Sequence, residues 1–366
     1  MNIFKHKLLL LAFLILVIGT VVSYTQKDNE TETGENIQGS AVSGDVEKDA
    51  SPIPTEITST EYTIAAGGDV MLSRHVGTKI REAGDPIMPW RKIADTFAEA
   101  DIAFVNLEAP FYNQGPPITE GMLFKAEPDT IAGLTHAGID MVSLANNHAK
   151  NKGQAGLQYT MDYLNQHDID YSGGGENYQH AHTPGIIEID SHKVAFLSYT
   201  YSDGANFQST SSRDQPDIAF MDVAQMQKDV AETSEQTDTV IVSTHAGHEY
   251  TPTPNQQQKE FARAAIDSGA DLVLGHHPHV VQTTEQYNGK YIIYSLGNLI
   301  FDQMWSEETR EGVIAKLNFS GADLKKAEFV PVKIENYSQP RLATEAESAT
   351  ILGRMGLEDS IVNLDD

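Results

Sequence analysis

The stretch that most constrains this chain is Gly275-His276-His277-Pro278-His279, which follows the apolar run Asp271-Leu272-Val273-Leu274. That run is too short and too sharply bounded for a helix and reads as a buried strand. In a parallel α/β sheet, ligand sites lie at the carboxyl edge of the strands, and here that edge carries imidazoles. His277 and His279 flank a proline, so a stiff, extended backbone is expected between them. Two neutral imidazoles on such a loop suit a transition metal. Taken alone, the pentapeptide fits an exposed His-rich turn equally well.

Other strands resolve that ambiguity. From residue 62 the chain alternates apolar strand, polar loop and amphipathic helix. Strands are expected at 62–66, 102–105, 141–144, 240–243, 271–274 and 291–294, with a hairpin over 186–199. Two more strands are expected near 313–319 and 329–334. Helices are expected at 90–100, 129–137, 153–166, 223–233 and 255–268, with Ile93, Phe97 and Ala100 on one face and Leu157, Met161 and Leu164 on another. This alternation, ending in strands, indicates an α/β layered fold. Asp69, Glu108, Asn147 with His148, His245, and His277 with His279 each stand at or just after a strand's carboxyl end. Asp69 alone reads as a helix cap and Asn147 alone as a turn residue. Together they describe a site of oxygen and nitrogen donors without sulfur, suited to one or two ions of the Mn, Fe, Zn or Ni type.

Composition narrows the partners. The chain has 366 residues, no cysteine and a formal net charge of −27. Disulfides, iron–sulfur clusters and thiolate zinc sites are excluded. So acidic a chain is a poor match for nucleic acid, whose binding rests on Lys and Arg neutralising phosphates. At the N-terminus, Lys5, His6 and Lys7 precede the apolar run from Leu8 to Ile18, which continues to Val22. A basic flank and such a core read as a membrane anchor over 1–23, basic end inside and the rest outside the cell. A cleaved signal peptide, which would make the protein secreted, is the alternative. Residues 24–61 are acidic and poor in apolar side chains, which predicts a disordered stalk. The folded domain is expected over 62–340, and 341–366 as an acidic appendage.

Several segments resemble the CapA (PgsA) family of poly-γ-glutamate capsule synthesis proteins, within the calcineurin-like metallophosphoesterase superfamily. They are Gly68-Asp69-Val70-Met71-Leu72, Asn106-Leu107-Glu108, Ala145-Asn146-Asn147-His148, His245-Ala246-Gly247-His248-Glu249-Tyr250, Gly269-Ala270-Asp271 through His277-Pro278-His279-Val280, and Ser295-Leu296-Gly297-Asn298. The resemblance implies a four-layer α-β-β-α sandwich with metals between its loops. It implies Asp69, Asn147, His245, His277 and His279 as ligands, and His148 as proton donor to a leaving group. Glu108 is the carboxylate nearest in place to the superfamily's bridging Asp. Met71 stands where the superfamily has a histidine, and Ala246 where an aromatic residue is common.

Around this set, Arg74 or His75 is a candidate to hold an anionic group, though an ion pair is the simpler reading of Arg74. Glu249 reads as a group that orients His245, or as a solvated carboxylate, and Asn298 as a substrate or supporting residue. Tyr250 reads as packing. His248 and His276 are expected to face away from their neighbours, since alternate residues of an extended segment point opposite ways. The implied role is synthesis, export or attachment of poly-γ-glutamate at the outer face of the membrane, with synthase subunits as partners and metal-activated water as nucleophile. A cell-envelope phosphoesterase and a non-catalytic scaffold are the alternatives. An acidic domain repels a polyanion unless cations bridge them or the contact is local.

Overall fold

The computed structural model describes residues 60–201 and 214–364. In chain order the first strands are β1 (Glu61–Val70), β2 (Ile102–Leu107), β3 (Met141–Ser143), β4 (Asp170–Ser172), β5 (Gly174–Gly175), β6 (Gly185–Ile189), β7 (His192–Thr200) and β8 (Asp217–Ile218). They are followed by β9 (Thr239–His245), β10 (Leu272–His276), β11 (Thr284–Tyr287), β12 (Lys290–Ile293), β13 (Asn298–Ile300), β14 (Glu311–Ser320), β15 (Asp323–Glu335), β16 (Gln339–Leu342) and β17 (Ile361–Asn363). The helices are α1 (Arg74–Ala83), α2 (Ala94–Ala98), α3 (Ile131–Ala137), α4 (Gly153–Asn165), α5 (Tyr178–Ala181), α6 (Val223–Ser234), α7 (Gln256–Asp267) and α8 (Glu345–Met355).

Two mixed sheets carry the fold. One runs β16-β15-β14-β1-β2-β3-β4, with β13 added to β1 and β17 to β15; the other runs β11-β12-β10-β9-β7-β6. β1 to β4 are mutually parallel, and so are β7, β9, β10 and β12. The period of two along each strand explains the layers. Ile64, Phe104, Phe196, Ile241, Leu274 and Ile293 point into a core between the sheets. Their neighbours Ala65, Val105 and Val142 face α1, α3 and α4 on one outer side. Val242, Val273 and Ile292 face α6 and α7 on the other. Strands buried on both faces have little polar alternation, so they appear in the sequence as unbroken apolar runs. Across the middle layer Phe104 stacks on Phe196, centroids 5.3 Å apart and 11° from coplanar.

Leu157, Met161 and Leu164 of α4 are buried as their spacing predicts. The helix expected over 90–100 forms only at Ala94–Ala98, because the chain leaves Pro86 and Pro89 in a series of turns. The residues after 341, expected as an appendage, are part of the fold. α8 begins at a capping box of Thr344 and Glu347 and buries Ile351, Leu352 and Met355 against the middle layer. β17 pairs antiparallel with β15. The acidic character of this segment belongs to the exposed face of α8, while three apolar residues at helical spacing make the contact. Among the described residues no helix is long and apolar enough to cross a membrane. The anchor expected over 1–23 and all but the end of the stalk expected over 24–61 lie outside the described residues.

Candidate metal centre

The carboxyl ends of the two parallel runs deliver the site. Asp69 lies near the end of β1, opposite Asn106 of β2 on one side and Asn298 of β13 on the other. That crowding depends on Gly68: a Cβ there would stand 2.0 Å from the Gly297 carbonyl oxygen. The close approach lets the Asp69 amide donate to that carbonyl at 3.0 Å.

Asp69, Glu108, Asn147, His148, His245, His277, His279 and Asn298 all come together here, and all are buried. Asn106 Nδ2 donates to Asp69 Oδ1 at 2.8 Å and lies 3.2 Å from His245 Nδ1. Asn146 donates to Asn106 Oδ1 and to the Leu107 carbonyl, and accepts from the His148 amide. This asparagine chain ties β2 to the loop after β3. Asn106 and Asn146 sit inside motifs read from the sequence, but their roles as struts depend on contacts with other strands.

Two ligand groups are visible. One ligand atom from each of Asp69, Glu108 and His279 falls within 4.8 Å of the other two. In the second group, His245 Nε2 lies 3.0 Å from Asn147 Oδ1 and 3.1 Å from His277 Nδ1. Donors sharing one first-row ion at about 2.0–2.1 Å stand about 3 Å apart, so this spacing suits a cation. Glu108 supplies a stronger test. Both of its oxygens are buried without a hydrogen-bond partner. Oε1 faces His279 Nε2 at 3.7 Å and His148 Nε2 at 3.8 Å. A buried, unpaired carboxylate is costly unless a cation or proton meets it. The residues present therefore fit a divalent ion.

The electrostatics agree. Burial, then the charges of Asp69 and Glu249, push the Glu108 carboxyl well above its usual range, against Arg74. Burial also works to raise Asp69, but its hydrogen bond to His279, the charges of His279 and His276 and the Asn106 amide outweigh it, and its carboxyl is lowered. Burial, reinforced by neighbouring imidazoles, holds His245 well below the ordinary histidine range. Burial lowers His277 to about 3 and His276 to about 4. His245 and His277 have no proton to lose to a metal at neutral pH, whereas an ion at Glu108 would displace the proton that its raised carboxyl favours.

Orientation is built in around the donors. Asn298 Oδ1 accepts from His279 Nδ1 at 3.0 Å, leaving Nε2 to face the site, and Asn298 is itself held by the His279 and Thr309 carbonyls. His148 is fixed by Asn151, a residue the sequence reading did not select. Asn151 Oδ1 accepts from the Phe124 amide at 2.7 Å and lies 2.9 Å from His148 Nδ1, so Nδ1 carries a proton and Nε2 turns inward. Phe124 stacks on the imidazole at 3.8 Å.

Several expectations are corrected. His277 and His279 are not extended: their φ values are 98° and 57°. Such conformations cost about 1–3 kcal/mol each and persist where surrounding contacts impose them. Here the His277 amide donates to Asp69 Oδ2, and the Pro278 carbonyl accepts from the Tyr250 amide. Glu249 does not orient His245, whose ring nitrogens pair with Asn106, Asn147 and His277. Arg74 is in an ion pair, but a largely buried one. Its guanidinium forks onto Asp302, donates to the Gly121 carbonyl and lies 4.6 Å above the Phe124 ring. His75 Nδ1 also reaches Asp302, at 3.2 Å. His276 points beneath the site, 3.6 Å from Asp69 Oδ1, while His248 is exposed. Met71 is no ligand: its sulfur accepts from the Ser73 amide.

Above these groups a cleft of about 470 Å³ opens to solvent, with His279 at its floor and Glu249, Tyr250, Phe124 and Trp305 on its walls. Tyr250 packs edge-on against Trp305 at 4.6 Å.

The family described as "Bacterial capsule synthesis protein PGA_cap" matches residues 63–303, well over half of the chain. The chain belongs to this family. Its relatives include the capsule biosynthesis protein CapA of Bacillus anthracis, 28% identical over 294 residues, covering 78% of this chain and 70% of the relative. The PGA biosynthesis protein CapA of Bacillus subtilis is 28% identical over 270 residues, covering 73% and 70%. A probable polyglutamine synthesis accessory protein of Mycobacterium tuberculosis is 26% identical, covering 66% and 67%. Among solved structures, the calcineurin-like phosphoesterase YfkN of Bacillus subtilis is similar with a TM-score of 0.47 and 12% identity, over 81% of this chain and 97% of that one. A hypothetical protein from Thermus thermophilus follows with a TM-score of 0.41 and 18% identity, over 77% and 98%.

Proposed function

We propose that this capsule-synthesis family member works at the outer face of the cell membrane as a metal-dependent hydrolase in poly-γ-glutamate synthesis, export or attachment. The observation that carries the hydrolase part is Glu108, a fully buried carboxylate with no hydrogen-bond partner, facing Asp69 and His279 under an open cleft. The relatives' names support the pathway. The basic and apolar N-terminal segment supports the membrane location.

Asp69, Glu108 and His279 would hold one ion, and Asn147, His245 and His277 a second; Mn, Fe and Zn match these donors. A bound divalent ion supplies Lewis acidity and a water acidic enough to act as nucleophile near neutral pH. The chain's own residues do the rest. Asn298 keeps the His279 Nε2 directed at the site. Asn151 holds the proton on His148 Nδ1, so that Nε2 faces the reacting group and can deliver a proton to a departing nitrogen or oxygen. Phe124 keeps that imidazole from rotating and shields it from water. Arg74, already paired with Asp302, shapes the wall rather than gripping substrate.

The test uses the full chain, purified without chelator or affinity histidines, alongside His277→Ala/His279→Ala and His148→Ala variants. Metal content and hydrolysis of γ-glutamyl amides and simple phosphate esters are measured on each. The expected result is stoichiometric metal lost in the double variant, and turnover lost by about 10²–10⁴-fold with metal retained in His148→Ala. Phosphate-ester hydrolysis without γ-glutamyl cleavage would favour an envelope phosphoesterase. Absence of metal after reconstitution would sink the hydrolase and leave a scaffold.

A further inference from the structure

Glu249 is half-buried on the cleft wall, where its carboxylate interacts with the Tyr250 side chain and stands beside the His277–His279 pair. One ligand atom from each of Glu249, His277 and His279 falls within 4.8 Å of the other two. The backbone carrying Glu249 is clamped to that histidine pair. Tyr250, the next residue, has φ of 61°, and its amide donates to the Pro278 carbonyl at 2.8 Å, between the two histidines. Gln303 further fixes the Tyr250 hydroxyl at 3.2 Å. The loop after β9 and the loop after β10 are thus locked together with Glu249 turned toward the imidazoles.

The charge balance is the second observation. Asp69 and Glu108 are wholly buried, Glu108 has no partner, and the negative charge of Glu249 acts on it unfavourably. With metal bound and all three carboxylates ionised, Asp69, Glu108 and Glu249 bring three negative charges to the site. One divalent ion leaves a net negative centre, which repels an anionic group; two divalent ions leave a positive one. The end of β1 and the turn after it contribute Asp69 alone, since the Met71 side chain is buried and engaged with the Ser73 amide.

We propose that Glu249 is a direct metal ligand, which joins His277 on the ion that Asn147, His245 and His277 would hold, on the side that faces His279. This rests on the metal-centre reading above and adds a ligand to it. The carboxylate comes from the wall of the cleft, so it also sets where an incoming substrate meets the ions.

The experiment titrates the chelator-treated full chain with MnCl2 by calorimetry and records low-temperature Mn(II) electron paramagnetic resonance. Wild type is compared with Glu249→Gln and with Glu120→Gln, the latter removing an exposed carboxylate from the same cleft mouth that touches no histidine of the site. The expected result is two equivalents in wild type with a spin-coupled spectrum. Glu249→Gln loses one equivalent, or weakens it by at least tenfold, and shows the isolated six-line signal, while Glu120→Gln matches wild type. Unchanged binding in Glu249→Gln, or an equal loss in both variants, would overturn the ligand assignment and leave the metal centre standing. Wild type that binds no Mn(II) would overturn both. Unfolding temperatures in chelator establish that each variant is folded.

Discussion

Replacing Glu108 with glutamine should stabilise the metal-free protein and remove the stabilisation that an ion held by Asp69, Glu108 and His279 supplies. The carboxyl is fully buried, neither oxygen is paired, and burial with the charges of Asp69 and Glu249 raises it. The sign follows from linkage. With the folded value above the unfolded one, its contribution to stability is fully present below the unfolded value near 4.5 and is lost as pH rises toward the folded value. Each pH unit inside that window costs about 1.4 kcal/mol. Glutamine removes the titration and offers an amide donor to Asp69. Leaving a buried polar group unsatisfied costs about 1–3 kcal/mol, so the variant should gain that much at pH 8 in chelator. For a domain of this size that is a rise of about 2–5 °C in unfolding temperature. With Mn(II) at a thousand times its dissociation constant, wild type should gain about 4.1 kcal/mol from that ion and overtake the variant. Thermal unfolding followed by tryptophan fluorescence, in chelator and in Mn(II), reads both orders. A variant less stable than wild type in chelator would show that Glu108 has a structural partner and refute the argument. Equal metal stabilisation of both would remove Glu108 from the ligand set.

Asn298→Ala removes the amide oxygen that accepts from His279 Nδ1, leaving Asp69 Oδ2 at 3.3 Å as its neighbour, and should weaken Mn(II) binding about 10–100-fold in calorimetry, with the fold intact by circular dichroism. Acid should destabilise the metal-free protein steeply. Burial depresses His245, His276 and His277, so the unfolded chain takes up three protons below pH 6.5 that the native site refuses, while Glu108 opposes with one. Near pH 5.5 the net slope should be about 2.7 kcal/mol per pH unit, rising to about 4 in Glu108→Gln; urea titrations across pH 5–7 check it. Stability flat across that range would contradict the neutral, buried imidazoles. Ile351→Ala, in α8 and far along the chain from any site residue, should cost about 2–5 kcal/mol in urea unfolding and leave metal affinity unchanged.

Much of the fold was legible because its strands are buried on both faces. Residues 102–105, 240–242 and 272–274 are apolar without interruption, and each run gives way to polar side chains at the sheet edge, so strand and site edge are visible together. The ligand-competent residues Asp69, Glu108, Asn147, His245, His277 and His279 were readable from that edge position. Short elements such as β4, β13 and β17 were not, because two or three residues carry no period of their own and exist only through pairing. α8 was hidden by its acidic exposed face, although its capping box is a local signal.

What the sequence by itself determined is the alternation of elements and the chemical identity of the donors, since both follow from local patterning. Tertiary structure decided what those donors face. The left-handed backbone at His277 and His279 is imposed by Asp69 and Tyr250, which lie far away in the chain. Arg74 is claimed by Asp302, 228 residues on, and His279 is aimed by Asn298. Glu108 is left unpartnered between two buried layers, and Glu249 is brought within reach of His277 and His279 at the cleft wall. Hydrogen-bond partners and burial are properties of the packed whole, so no window of residues could have revealed which carboxylate was left without one.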